Sequence, residues 1–428
     1  MVPHLVTALS GPLLALEEKL LGANALIERW FRFEWQEHTP PFYCAVDMCN
    51  AGYKFASTHC DLFPNSFIHL SDDMLPLAVQ AAVSAIEKYC PDAKGLLFIP
   101  DHRLSDDSAP NDAYWANVLR VSVILKQTGL DVRYGTIDPD CLQAKTVHLK
   151  DGRSLLLEPL SRKGKRVGIG AFDPCAVLLN HPLAGGLPNV LNQLYEQVLL
   201  PPLHAASSQR RLSEHWLALD EVAKRFSKAI GIDPWLISPY SAVMHAKGGS
   251  DRQGVSAIAV EDLIAKVDSV LKKIKAKYKE HGIKTRPFVT LRADIEAYQT
   301  RPLRIDHSGD IHTLLNDDAI PNNGCSLIIQ EGLTSIESLD GHEAFPSVLM
   351  VDRFVVGGFY QQSIANAAAQ AAVIKPLPFS KPCNMPDCGD GSTSAPNRFY
   401  AYGVIARLSL LAAALELERT DPDQSQYG

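Results

Sequence analysis

Between residues 78 and 137 the chain alternates helix-like and strand-like stretches, and few folds accept that order. AVQAAVSAIEKYC (78–90) has apolar residues at helical spacing, and KGLLFIPDH (94–102) is an apolar run ending in Pro-Asp-His. YWANVLRVSVILKQTGL (114–130) is helical again, and DVRYGTI (131–137) is strand-like. Strand, helix, strand with short connections predicts a parallel sheet. AVLLNHPLAGGLPNVL (176–191) resumes the pattern, with a buried strand reaching Asn180 and a glycine-rich turn expected to open a helix. Such a turn is suited to an anion at the helix start, although it serves equally as plain structure. Residues 141–170 read as a hairpin-rich insert, alternating around the tight-turn dipeptide Asp151-Gly152.

The rest of the chain carries a different pattern. LEEKLLGANALIERWFRFEW (16–35) is helical and is stopped by Pro40 and Pro41, while EDLIAKVDSVLKKIKAKYKE (261–280) is an amphipathic helix with lysines outward. PFVTLRAD (287–294), CSLIIQEGL (325–333) and SVLMVDRFVVGGFYQQS (347–363) are long strands with few helices between them, which predicts an antiparallel sheet. The expected fold class is α/β: an N-terminal parallel α/β region over residues 1–240, an α+β region with an antiparallel sheet over 241–420, and a tail, 421–428.

Composition narrows the function. A length of 428 residues exceeds what one core accommodates, so two or three domains are expected. A net charge of −7 argues against nucleic acid as the main partner, because a phosphate backbone calls for a basic face. The opening MVPHLVTALSGPLLALEEKLLG lacks the basic start of a secretory signal. VIARLSLLAAALELE (404–418), with Arg407 and two glutamates, is too short and too charged to span a bilayer, so no membrane segment is expected. Nine scattered cysteines fit reduced thiols and a cytoplasmic setting. Cys44, Cys49 and Cys60 have no clearly placed base, and none reads as a nucleophile.

The chemistry concentrates in the last third. IIQEG carries Gln330 and Glu331, VDRFVVGG carries Asp352 and Arg353, and MPDCGDGSTSAPNRF carries Asp387, Asp390 and Asn397. Magnesium takes carboxylate, amide and phosphate oxygens, and an arginine neutralises charge on a transferred phosphoryl group, so this set is what an ATP-dependent ligase needs. For Asp352-Arg353 the alternative is a surface salt bridge beside a hairpin. Cys383 and Cys388 have no second Cys/His pair at zinc spacing, which argues against a structural zinc. His204, Arg210, Arg211 and His215 cluster around a helix start, either as a solvated face or as carboxylate binders.

Together with PPFYCAVDMCNAGYKFA, DLFPNSF, LPPLHA and GIDPWLISPY, the motifs IIQEG, VDRFVVGGFY, CNMPDC and APNRFYAYGVIARLSLLAAALELE resemble the proteobacterial glutamate-cysteine ligase family, whose members have an ATP-grasp-like fold. The resemblance runs over nearly the whole chain. It implies ATP-dependent joining of the γ-carboxyl of glutamate to the amine of cysteine, the first step towards glutathione, through an acyl phosphate. ATP and Mg2+ are the implied cofactors, and glutamate and cysteine the small-molecule partners. On this resemblance Arg353 matches the arginine near the γ-phosphate, Gln330 and Glu331 the segment that holds adenine and ribose, and Asp352 lies beside them. Asp387 and Asn397 are the magnesium candidates by position and chemistry. Residues 1–240 become a substrate-binding region, with Asp47, Asn50, Lys54 and Asn180 as expected contacts and Arg210 and Arg211 as alternative carboxylate binders.

The chain also departs from the family pattern. Where a lysine and a glycine-rich phosphate loop are expected it reads LRADIEAYQTRPLRI (291–305), with Arg292 in the lysine position and no glycine before Gly309. Ile295, Glu296 and Gln299 there hinder the close backbone approach that glycines permit. Cys49 stands where a basic residue is expected, Ile68 and His69 stand where asparagines are, and His181-Pro182 replaces a more polar, acidic pair. Two alternatives therefore stand beside the ligase reading: a ligase for other amino acids, and a catalytically inactive homologue with a binding or regulatory role.

Overall fold

Two strands with every residue buried, Gly95–Pro100 and Ala176–Asn180, form the middle of a six-stranded sheet. Its order is Val198–Leu200, Ala176–Asn180, Gly95–Pro100, Asp131–Thr136, Ser154–Pro159, Lys145–His148; only the last pairing is antiparallel. Leu96, Phe98 and Leu178 pack under the helices Leu75–Tyr89 and Asp112–Gln127, while Leu97, Ile99, Val177 and Leu179 face a second core. Burial on both faces is why these strands read as unbroken apolar runs. The hairpin at Asp151-Gly152 supplies the last two strands, with Gly152 at φ 87°. This is a computed structural model, and it describes residues 5–6, 11–104, 111–194, 196–245, 259–297, 302–316, 326–339, 342–364, 373–378 and 398–422.

The helix expected after Asn180 does not form. The chain runs instead through turns and a single 3-10 turn, Asn189–Leu191, because Pro182, Pro188 and the Gly185-Gly186 pair interrupt helical backbone. Among the described residues of this segment no α-helix starts at that strand end to hold an anion.

The antiparallel sheet draws strands from both halves of the chain. Phe55–Asp61, Tyr43–Asn50, His342–Val351, Phe354–Ile364 and Val373–Pro378 lie side by side in that order, so residues before and after position 240 share one sheet. The helix Arg398–Thr420 covers one face, meeting Val46, Met48, Val348 and Met350. Ala45, Leu349, Val351 and Phe359 on the other face join the core under Leu75–Tyr89 and Asp112–Gln127. By length and composition residues 399–420 would suffice to cross a membrane, yet 83% of the apolar window is buried inside the protein. The helix is a core element.

A smaller antiparallel sheet, in the order Ser241–Met244, Leu327–Glu331, Val289–Ala293, Leu303–Ile305, completes the fold. Val289, Leu291, Leu327 and Ile329 pack on the helix Val260–Glu280. Period-two alternation therefore places Arg292 and Gln330 on the opposite face, turned towards the rest of the molecule.

Candidate functional site

Antiparallel register sets Asp47 directly opposite His59 and Ala45 opposite Asp61, so alternation puts all four on one face. With Phe359 and Gln361 of Phe354–Ile364, one strand beyond His342–Val351, and Asn65, Ser66 and His69 of the segment that follows Asp61, they line a cavity of about 220 Å3. That is room for a small ligand. One oxygen of Asp47 accepts hydrogen bonds from Ser347 Oγ and Gln361 Nε2, both at 2.7 Å. One oxygen of Asp61 accepts from the Phe63 backbone N–H at 2.8 Å. Burial, with Glu296 adding to it, pushes the Asp61 carboxyl up to about 7. Burial also raises Asp47, against the pull of its two donors, and lowers His59 to about 4. His69 is lowered by burial as well. A half-neutral acid beside neutral imidazoles is an arrangement that accepts and returns protons near pH 7.

At the edge of this cavity lies a buried ion network. Arg210 clasps Glu416 in a fork, Nε to Oε1 at 2.7 Å and Nη2 to Oε2 at 2.9 Å, and its Nη1 donates to the Cys60 carbonyl at 2.7 Å and to Glu296 at 3.2 Å. His215 Nδ1 sits 3.1 Å from Glu416. Burial alone would raise Glu416, but Arg210 and His215 outweigh it and hold the carboxyl at about 2. Glu296 also approaches His59 Nε2 at 3.7 Å, joining the network to the cavity.

Arg292 is the exception among these cations. Its Nη2 donates to the neutral Gln330 Oε1 at 3.1 Å, its guanidinium lies 5.5 Å from the Trp216 ring, and its Nε has no hydrogen-bond partner. Among the described residues it forms no ion pair, and burial lowers its pKa to about 10. An under-satisfied guanidinium held rigid by an aromatic face is ready to take an anion.

The remaining residues singled out in the sequence fall into separate places. Lys54 and Glu331 meet, Nζ to Oε2 at 3.0 Å, both fully buried. Glu331 also accepts from Trp235 Nε1 and the Tyr240 N–H, and Lys54 donates to the Ser238 carbonyl. Each satisfies the other, so this pair ties the two antiparallel sheets together and leaves neither carboxylate nor ammonium open to a ligand. Asn50 bonds to Glu337 and to the Gly52 N–H, and Asn180 to Tyr43 and the Pro64 carbonyl; both are packing groups. Arg211 is exposed, 3.8 Å from Asp294. Asp387 and Asn397, with Cys383 and Cys388, lie outside the described residues.

Asp352 and Arg353 are themselves the turn between His342–Val351 and Phe354–Ile364, and Gly357-Gly358 lie inside the second strand. The Asp-Arg pair is thus the hairpin itself, with the buried Asp352 paired to the exposed Lys88 at 2.6 Å and Arg353 stacked on Phe354. Val351 pairs with Tyr43, seven residues from the Asn50 end of that strand, which separates this turn from Lys54 and Glu331 by about 24 Å at a strand rise of ~3.4 Å. Asp352 has φ 49°, a conformation a β-branched side chain resists. Asp352→Val is therefore expected to lower the unfolding free energy by about 1–3 kcal/mol. Urea denaturation measures this, and an unchanged midpoint would contradict the turn assignment.

His59, Asp61, Gln361, Glu296 and Glu416 are the residues that sequence reasoning did not place in a site. The signal for the first two was present: in FASTHCD, His and Asp two apart share a strand face.

With this geometry in view, the relatives of the chain can be stated. The family model for glutamate-cysteine ligase matches residues 17–417. Among solved structures, "Putative gamma-glutamylcysteine synthetase" from Methylobacillus flagellatus KT is 44% identical, covers 98% of this chain and 100% of its own, and superposes with a TM-score of 0.85. D-alanyl-alanine synthetase A from Vibrio cholerae O1 biovar eltor str. N16961 is 9% identical over 74% of this chain and 81% of its own, with a TM-score of 0.32, too low to bear on the fold. No protein of curated function matches the sequence. A match across almost the full length, with a close structural counterpart, places the chain in the glutamate-cysteine ligase family.

Proposed function

We propose that this protein is an ATP-dependent ligase joining the γ-carboxyl of glutamate to the amine of cysteine. The observation that carries the reading, beyond family membership, is Arg292: a buried guanidinium with no carboxylate partner among the described residues, on the face of the small sheet that turns towards the cavity side. It fits a phosphate group, which would supply the missing anion. ATP bound there would deliver its γ-phosphoryl group to the glutamate carboxylate, and the amine of the second substrate would then displace phosphate from the acyl phosphate. In this scheme Arg292 balances phosphate charge, Gln330 holds Arg292 in place, and the Arg210–Glu416 network fixes the wall between Arg292 and the cavity.

For magnesium the described residues offer no oxygen set of their own. Of the groups that bring ligating atoms together, Asp101 with His102 and His181 is mostly histidine, Asp233 with Glu280 and His281 includes one, and the acids of both are held by Arg103 and Lys277. Magnesium prefers oxygen ligands, so neither group is assigned to it.

A second reading rests on the segment after Arg292. Glu296 N–H bonds to the Arg210 carbonyl and Ala297 N–H to the Ser207 carbonyl, while the Glu296 side chain is buried against Arg210. A backbone latched in this way favours an inactive, binding homologue over a mobile phosphate cover. ADP release with ATP, magnesium, glutamate and cysteine, omitting each amino acid in turn, decides between them. Release that requires both amino acids is the expected result. A folded protein that binds ATP without turnover would overturn the ligase reading in favour of the second.

A further inference from the structure

The cavity on the antiparallel sheet is lined by two aspartates, two imidazoles, two amides and a hydroxyl, and no lysine or arginine is among its lining residues. Asp47 and Asp61 each give one oxygen to fixed donors from the protein. Their second oxygens have no hydrogen-bond partner among the described residues. Burial lowers His59 to about 4 and shifts His69 downward as well. A lining with two carboxylates and no cation selects a ligand group that is positive and carries several N–H donors, which describes an ammonium.

We propose, resting on the ligase reading above, that this cavity holds the ammonium of the amine-bearing substrate and that Asp61 takes a proton from it. The ammonium gives one proton to the free Asp61 oxygen and becomes an amine. The amine nitrogen attacks the acyl-phosphate carbonyl, the C–N bond forms, the C–O bond to phosphate breaks, and the second amine proton leaves with phosphate. Asp47, pinned by Ser347 and Gln361, is the counter-charge that keeps the nitrogen in place. The groups around Asp61 set its protonation: Asp47 from the adjacent strand, the Phe63 N–H, and Glu296 and Arg210 at the open sheet edge. The negative neighbours favour the protonated acid, which is the form reached after proton transfer.

The test compares two nucleophiles in the full-length protein and in Asp61→Asn. Hydroxylamine is uncharged near neutral pH and traps an acyl phosphate without needing a base or an ammonium site. In Asp61→Asn, glutamate-dependent hydroxamate formation is expected to persist with an unchanged KM for glutamate. Cysteine-dependent amide formation is expected to fall by about 10²–10⁴-fold. The wild-type rate with cysteine should rise through about pH 7, and that limb should be missing with hydroxylamine. A parallel loss of both reactions, or a raised KM for glutamate in the hydroxamate assay, would overturn the assignment by moving Asp61 to the glutamate half-reaction. Absence of any glutamate-dependent hydroxamate or ADP in the wild type would instead overturn the ligase reading beneath it. A melting series guards against misfolding. The folded Asp61 pKa lies above its unfolded value, so the contribution of Asp61 to stability falls between about pH 4 and about pH 7, and the asparagine variant should gain stability relative to wild type across that range.

Discussion

Arg210→Met is expected to lower the unfolding free energy by about 3–5 kcal/mol, the cost of leaving buried carboxylates without their partner. Glu416 and Glu296 are both buried and Arg210 bonds to each, while its third arm holds the Cys60 carbonyl on the open edge of the antiparallel sheet. Methionine keeps the apolar stem and removes every one of these bonds, so packing loss does not confound the result. Acid should mimic the mutation. Glu416 titrates below its unfolded value, so its contribution is present above about pH 4 and is lost as the pH falls towards 2. Chemical denaturation across pH measures both effects, and a variant as stable as wild type at pH 7 would show that the network is hydrated and not structural.

Arg292→Met should separate function from stability. The side chain has no carboxylate to strand and one neutral partner, and methionine retains contact with Trp216, so the melting temperature should change little. Loss of a charge that meets a phosphate is expected to reduce ATP turnover by about 10²–10³-fold. Arg292→Lys should recover part of this, because an ammonium supplies the charge without the forked geometry. Equal turnover in all three proteins would remove Arg292 from the reaction.

How far the sequence reached depended on the range of the interaction. Gly95–Pro100 and Ala176–Asn180 were legible because burial on two faces writes an unbroken apolar run into adjacent residues. The turn at Asp352 was hidden, because an aspartate at positive φ leaves no mark in the sequence. Gly357 is there for space: a Cβ on it would come within 2.6 Å of the Leu70 side chain. Lys54 and Glu331 both stood out as candidates, but no local pattern announces that residues 277 apart neutralise each other. Arg210 was likewise read by its charge, and the acids that claim it come from a loop and a helix far along the chain. Asp47 and Arg292 were singled out through the family resemblance. The cavity between strands was not, because it exists only through the pairing register.

The helix Arg398–Thr420 has a consequence for the order of events at birth. It fills the core between Leu13 and Leu16 near the start of the chain and the sheet strands Tyr43–Asn50, Phe55–Asp61 and His342–Val351. All of these leave the ribosome before it does. Until residues 398–420 have been synthesised, the apolar sheet face that they cover is left without this partner. Completion of this core therefore waits for an element made long after the sheet strands it covers, and shortage of a chaperone that shields apolar surface should limit the yield of this protein more than that of one whose core is assembled from consecutive elements.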